Sequence, residues 1–171
     1  MLCHLQFTDW IPSPLPHVFA FFSNPKNLPL LMPPETDTKI DGLQLVAPPP
    51  LPDQDPISTQ HAAGIGSIIT TSFRPLRFLP VRREWTAAIT EFEWNHHFAD
   101  VQQKGPFKRW HHRHEFLPDA RDGFRGTLVR DEIEYEIGFG PLGALANSLF
   151  IERRMRYIFA HRQEILPKLL S

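Results

Sequence analysis

HFADVQQKGPFKRWHHRHEFLPDARDGFRGTLVRDEIEYEI, residues 97–137, decides the fold. Within it, 97–104, 108–117 and 125–137 alternate with a period of two, and Gly105-Pro106 and Asp122-Gly123 supply turns between them. Successive side chains of a strand point to opposite faces, so the alternation sorts the residues. On 108–117, Trp110, His112, His114 and Phe116 share one face, and Arg109, His111, Arg113 and Glu115 share the other. The charged set belongs in water, which turns the aromatic set inward. On 125–137 the same argument places Thr127, Val129, Asp131, Ile133, Tyr135 and Ile137 inside and Arg130, Glu132, Glu134 and Glu136 outside. Phe98, Asp100 and Gln102 are expected inward on the preceding strand, unless a bulge flips them.

Outward from this run, 81–93 and 65–73 are rich in β-branched residues and read as further strands, as do 36–46 and 2–10. Consecutive strands with short turns form an antiparallel meander and not βαβ units. Ser13 is expected to cap a short helix with Pro14 in its first position, and a second short helix fits Pro25 to Leu31, stopped by Pro33-Pro34. Residues 47–57, with five prolines, are expected to form a surface loop. At the other end, 142–166 turn helical: Leu142, Leu145, Leu149, Phe159, Leu166 and Leu169 lie near one face, and Met155 and Ile158 widen it. Arg153, Arg154, Arg156 and Glu164 fall elsewhere, as a solvated face. Pro167 is expected to kink or end this helix. The expected fold is α+β in a single domain, 1–171. A curved antiparallel sheet of six to seven strands wraps a long C-terminal helix, with two short helices after the first strand. One helix cannot fill a strongly curved sheet, so a cavity is expected between them.

Composition narrows the function. The chain has 171 residues and a net charge of −1, so no global field attracts nucleic acid or an anionic membrane. Fourteen Phe and 4 Trp against 2 Tyr suggest a greasy interior. No apolar run is long enough to insert into a membrane, the start of the chain lacks the pattern of a signal peptide, and Cys3 is the one cysteine. A cytoplasmic protein is expected, and a homodimer is left open. Gly64-x-Gly66 precedes a strand, so it is no dinucleotide loop, and Cys3 is a poor nucleophile candidate.

The motifs also carry a resemblance. Phe98-x-Asp100-x-Gln102-x-x-Gly105-Pro106-Phe107-x-x-Trp110-x-His112-x-His114-x-Phe116 resembles the START-like (SRPBCC) superfamily, in its polyketide cyclase/dehydrase-like ligand-binding branch. Leu31-Met32-Pro33-Pro34, Trp85-x-x-x-Ile89-Thr90, Gly126-Thr127-x-x-x-Asp131-x-x-x-Tyr135, Phe139-Gly140-Pro141-Leu142-Gly143 and Ile158-Phe159-x-x-Arg162 agree in order and spacing. The proline-rich insert departs from the family, and Phe107 stands where such sequences often carry Tyr. The resemblance implies a helix-grip fold and an internal pocket for an apolar molecule, without implying one reaction.

The expected ligand-binding residues are Trp85, Ile89, Phe98, Asp100, Gln102, Trp110, His112, His114, Phe116, Asp131, Ile133 and Tyr135. Three roles stand open for His112 and His114: hydrogen-bonding Asp131 or Asp100 in a structural network, orienting a ligand, or general acid/base catalysis. In the catalytic role, His112 or His114 pairs with Asp131 while Tyr135 donates to a developing enolate. The expected partner is a small hydrophobic molecule of lipid, polyketide or aromatic type. A cyclase/dehydrase-like enzyme is the alternative, and a regulatory or interaction module is a further one. No cofactor is expected. His112-x-His114 offers two metal ligands, but a zinc site needs a third and an open position, so no metal is expected either.

Overall fold

A computed structural model describes residues 2–51, 61–75, 81–138 and 150–170. Seven strands form one antiparallel sheet: β1 (Leu2–Ile11), β2 (Lys39–Gln44), β3 (Ile68–Phe73), β4 (Arg83–Glu93), β5 (His97–Lys104), β6 (Arg109–Arg121) and β7 (Phe124–Glu136). Their order across the sheet is β1-β7-β6-β5-β4-β3-β2, so the sequence neighbours β1 and β2 lie at opposite edges. Two short helices, α1 (Leu15–Ser23) and α2 (Leu28–Leu31), occupy the chain between those edges, with 3₁₀ turns at Pro25–Asn27 and Pro34–Thr36. The long helix α3 (Glu152–Leu169) packs on the same concave face, giving the expected α+β helix-grip architecture.

Register in the centre is fixed by a tight turn. Asp122 and Gly123 both take positive φ, 50° and 81°, which suits a two-residue hairpin, and β6 then pairs with β7 without a break from Arg121↔Phe124 to Arg109↔Glu136. His114 therefore stands opposite Asp131, and Trp110 opposite Tyr135. On the other side, Asp100 stands opposite His112 and Phe98 opposite His114. Register shifts between Ile89 and Glu91 as β4 meets β5, leaving Thr90 as the extra residue. The shift lets Ile89 and Phe92 both pack toward the core, and it leaves Asp100 on the inward face opposite Ile89.

Two apolar clusters hold the layers together. Ile11, Val18, Phe19, Phe98, Phe116 and Val129 centre the first, where Phe19 meets Phe116 and Phe98 edge-on at 5.0 and 6.0 Å. Leu5, Ile133, Tyr135, Met155 and Phe159 form the second, with Phe7 stacked on Phe159 at 4.0 Å.

The helices differ from the sequence reading in three places. Pro14, not Ser13, stands at the start of α1, and no side chain caps it; Ser13 is buried, and its carbonyl accepts from Thr127 Oγ1 at 2.8 Å. Proline in the first turn removes a donor that would be orphaned anyway, so no cap is needed there. Pro167 does not end α3, which runs on to Leu169. Only one carbonyl in the last turn loses its donor, a small cost near a helix end. Leu169 is exposed, whereas Arg162 takes a place on the buried stripe with Met155, Phe159 and Leu166. The expectations for 142–149, including Leu142, Leu145 and Leu149, and for residues 52–57 of the proline-rich segment lie outside the described residues. The described part of that segment is pinned by Trp94, whose Nε1 donates to Pro49 O at 2.6 Å.

Candidate functional site

Between the sheet and its helices lies a cavity of about 880 Å³, within the ~300–1,000 Å³ usual for small-molecule sites. Trp85, Ala87 and Ile89 of β4, Phe98 and Asp100 of β5, and Trp110, His112 and His114 of β6 form its floor. Met155, Ile158, Phe159 and Arg162 of α3 form the roof, and Leu28, Leu31 and Met32 close one side. Trp85 and Trp110 meet edge-on at 4.9 Å, and Phe107 stacks on Trp110 at 5.1 Å. The walls are therefore mainly aromatic and aliphatic; Asp100, His112, His114 and Arg162 are among the polar residues on them, as are Asn24, Asn27, Arg74, Arg83, Arg153 and Arg154.

Not every inward residue reaches this space. Phe116, Asp131, Ile133 and Tyr135 point inward but are at most 1% exposed and stand behind the lining. Tyr135 packs against Phe107 and Trp110 and is not part of the cavity lining. Gln102 does other work: its amide donates to Phe107 O at 2.7 Å and accepts from Phe107 N at 3.3 Å, holding the β5–β6 loop. Gly105 leaves room for that hold, since a Cβ there would collide with Gln102 Oε1.

Asp100, His112, His114 and Arg162 belong to a network centred on Asp131. His112 Nε2 lies 2.8 Å from Asp131 Oδ1, and Arg162 Nη2 donates to Oδ2 at 3.0 Å. His114 Nδ1 lies 2.6 Å from the same Oδ1, out of line for a well-formed hydrogen bond. Burial pushes the Asp131 carboxyl up, but Arg162, His114 and His112 together hold it well below the usual range. Burial, reinforced by His114, lowers the pKa of His112 against the opposing pull of Asp131, so the ring is neutral at neutral pH. A carboxylate only accepts, so His112 donates from Nε2 and leaves the Nδ1 lone pair toward Asp100, whose Oδ2 is 3.7 Å away. Burial raises the pKa of Asp100, with His112 opposing. Chemically, a proton acceptor and a carboxyl that resists ionisation stand side by side on the cavity wall.

Strand periodicity missed Arg162, which lines the site, and Asp9, which is buried behind it. Arg162 was legible, because it lies three residues after Phe159 and four before Leu166 and so falls on the apolar stripe of α3. Its guanidinium sits over the rings of Phe159 and Phe22, at 4.6 and 5.2 Å. Asp9 is buried beneath it in β1, and the alternation of that strand was too loose to flag it.

A family model described as polyketide cyclase / dehydrase and lipid transport matches residues 11–158. The chain belongs to this family. Solved structures with the same fold include a protein from Thermus thermophilus, 16% identical with a TM-score of 0.62 over 99% of this chain and 100% of that one. A norcoclaurine synthase point mutant from Thalictrum flavum in complex with a transition-state analogue is 13% identical, with a TM-score of 0.61 over 100% and 98%. A START superfamily protein from Mycobacterium smegmatis is 12% identical, with a TM-score of 0.61 over 98% and 96%. At such identities the likeness is one of fold. No match is found among curated proteins. This member of the polyketide cyclase / dehydrase and lipid transport family thus shares its fold with a START superfamily protein. Among its described residues no helix is long and apolar enough to cross a membrane.

Proposed function

We propose that the protein binds a small hydrophobic molecule of lipid, polyketide or aromatic type in the cavity beneath α3. The observation that carries this reading is the 880 Å³ space itself, whose walls are mainly aromatic and aliphatic and include the linked polar groups Asp100, His112, His114 and Arg162. The walls supply affinity by burying apolar surface, and His112 Nδ1 and Asp100 orient a carbonyl or hydroxyl.

Uptake of the apolar fluorophore N-phenylnaphthylamine tests it, alongside mass spectrometry of molecules that co-purify with the protein. Ala87 is buried on the cavity floor, so Ala87→Trp fills the space from a rigid strand. The wild-type protein is expected to bind the fluorophore stoichiometrically, and a folded Ala87→Trp variant at least ten times more weakly. Equal uptake by both sinks the proposal.

The hydrogen bond between His112 and Asp131 favours a second reading, general acid/base chemistry on the bound molecule. In that reading His112 Nδ1 takes the proton and Asp100, not Tyr135, returns it. His112→Ala then leaves fluorophore binding nearly unchanged while turnover falls about a hundredfold or more.

A further inference from the structure

The register that places Asp100 opposite His112 and Phe98 opposite His114 brings three donor groups to one patch of the cavity wall. One ring nitrogen of His112, one of His114 and a carboxylate oxygen of Asp100 all lie within 4.8 Å of one another. We propose that these three side chains bind a divalent first-row transition ion, with zinc or iron(II) the ions their chemistry suits.

The donor set is the first argument. Two imidazoles and one carboxylate that leave coordination positions open form the kind of set that holds catalytic zinc and non-haem iron(II). Here the open positions face the cavity. Metal–ligand bonds of about 2.0–2.2 Å place neighbouring donors about 3–3.5 Å apart, and His112 Nδ1 already lies 3.7 Å from Asp100 Oδ2.

The support behind the donors is the second argument, and it is independent of the first. A metal-bound histidine characteristically turns its other ring nitrogen to a carboxylate, which fixes the ring and makes it a better ligand. Asp131 stands in that position for His112, 2.8 Å from its Nε2, and lies against the His114 ring, 2.6 Å from Nδ1, without a well-formed hydrogen bond. His112 Nδ1, 3.7 Å from Asp100 Oδ2, is left for the ion, and His114 offers one ring nitrogen beside it. Asp131 is itself held by Arg162, which cancels its charge, so a dication at the patch meets the single negative charge of Asp100. One positive charge remains. If the cavity binds ligand as proposed above, an apolar molecule bearing a carboxylate, enolate or phenolate oxygen supplies the balance.

The cluster Glu93, His96 and His97 on the β4–β5 turn has the same residue types, and Glu91 lies 3.4 Å from His97 Nε2, but none of these residues lines the cavity. His96 and His97 are spent there on each other, 2.9 Å apart at Nδ1, and on Glu93. This cluster serves as the internal control.

The test is titration of the chelator-stripped full chain with Co²⁺, followed by visible d–d absorption and displaced by Zn²⁺. One tight site per chain with strong bands of low coordination number is expected. Asp100→Asn, close in shape to the native side chain, and His114→Gln are expected to weaken it by about 100-fold or more, beyond the ~10–100-fold that outer-shell partners cost. His96→Ala is expected to leave it unchanged. Metal analysis of protein purified without chelator then separates zinc from iron.

Absence of a tight site in the wild-type protein overturns the inference, and so does a site lost in His96→Ala but kept in Asp100→Asn. If the variants fail to fold, NMR of the zinc-titrated wild type still decides: shifts confined to His96 and His97 overturn it, and shifts at His112 and His114 uphold it. Fluorophore uptake by the stripped protein is scored separately, so failure of the metal site and failure of the cavity reading are distinguishable.

Discussion

Arg162 ties the long helix to the centre of the sheet. It is 5% exposed, donates to Asp131, which is fully buried, and lies over two aromatic rings. Removing one partner of a buried ion pair strands the other, at a cost of about 3–5 kcal/mol. Arg162→Met is therefore expected to lower the unfolding free energy by about that much in urea titration. Adding Asp131→Asn to the same chain should restore a large part, because the stranded charge disappears. Asp9 presents the opposite case. Both its oxygens are buried without a well-formed hydrogen bond, and burial raises its pKa from the ordinary 3.8 although Arg162 and Gln163 oppose. A carboxyl whose pKa is higher in the folded state stabilises the fold below its unfolded value, and that stability is lost as pH rises through the folded value. Asp9→Asn is expected to melt at a higher temperature than wild type at pH 7, and the difference should close on acidification below the ordinary 3.8. An unchanged gap across that range would mean Asp9 is not the group that titrates. At this scale the strand residues were readable because alternation is local, and Arg162 was readable because helical spacing is local too. Asp9 was not, since burying an isolated carboxyl runs against every local preference.

Elements fit together here with little tolerance. Gly126 in β7 faces β1 so closely that an added Cβ would stand 2.5 Å from Ile11 O and 2.8 Å from the Trp10 ring. Gly126→Ala must push β1 off its neighbour, with a cost of about 1–3 kcal/mol by chemical denaturation. The same change at Gly138, where a Cβ meets nothing, should cost far less. The strands and their faces were legible because the 97–137 run repeats its pattern three times between strong turn signals. The helix ends were not, because capping depends on what the flanking carbonyls find in the fold: Ser13 O finds Thr127 from the far end of the sequence. The cation cluster of α3 also changed meaning, since Arg154 reaches Glu35 at 3.4 Å instead of standing free in water.

The sheet and α3 enclose a space that the side chains of the described residues do not fill. A ligand that binds only the folded state adds about 2.7 kcal/mol at a hundred times its Kd, which raises the melting temperature of a chain this size by about 5–10 °C. N-phenylnaphthylamine at that excess is expected to produce such a shift in wild-type protein and little in Ala87→Trp; no shift in either would place the fluorophore outside the cavity. The sequence by itself determined the strands, their inward and outward faces and the need for a covering helix, because each follows from periodicity over a dozen residues. Tertiary structure decided the rest. That Asp100 joins His112 and His114 on one patch depends on the register between β5 and β6, where Asp100 stands opposite His112 and Phe98 opposite His114. That Asp131 is paired depends on how α3 seats Arg162 against it. Distances between strands and helices are set by packing of the whole chain, and local pattern carries no record of them.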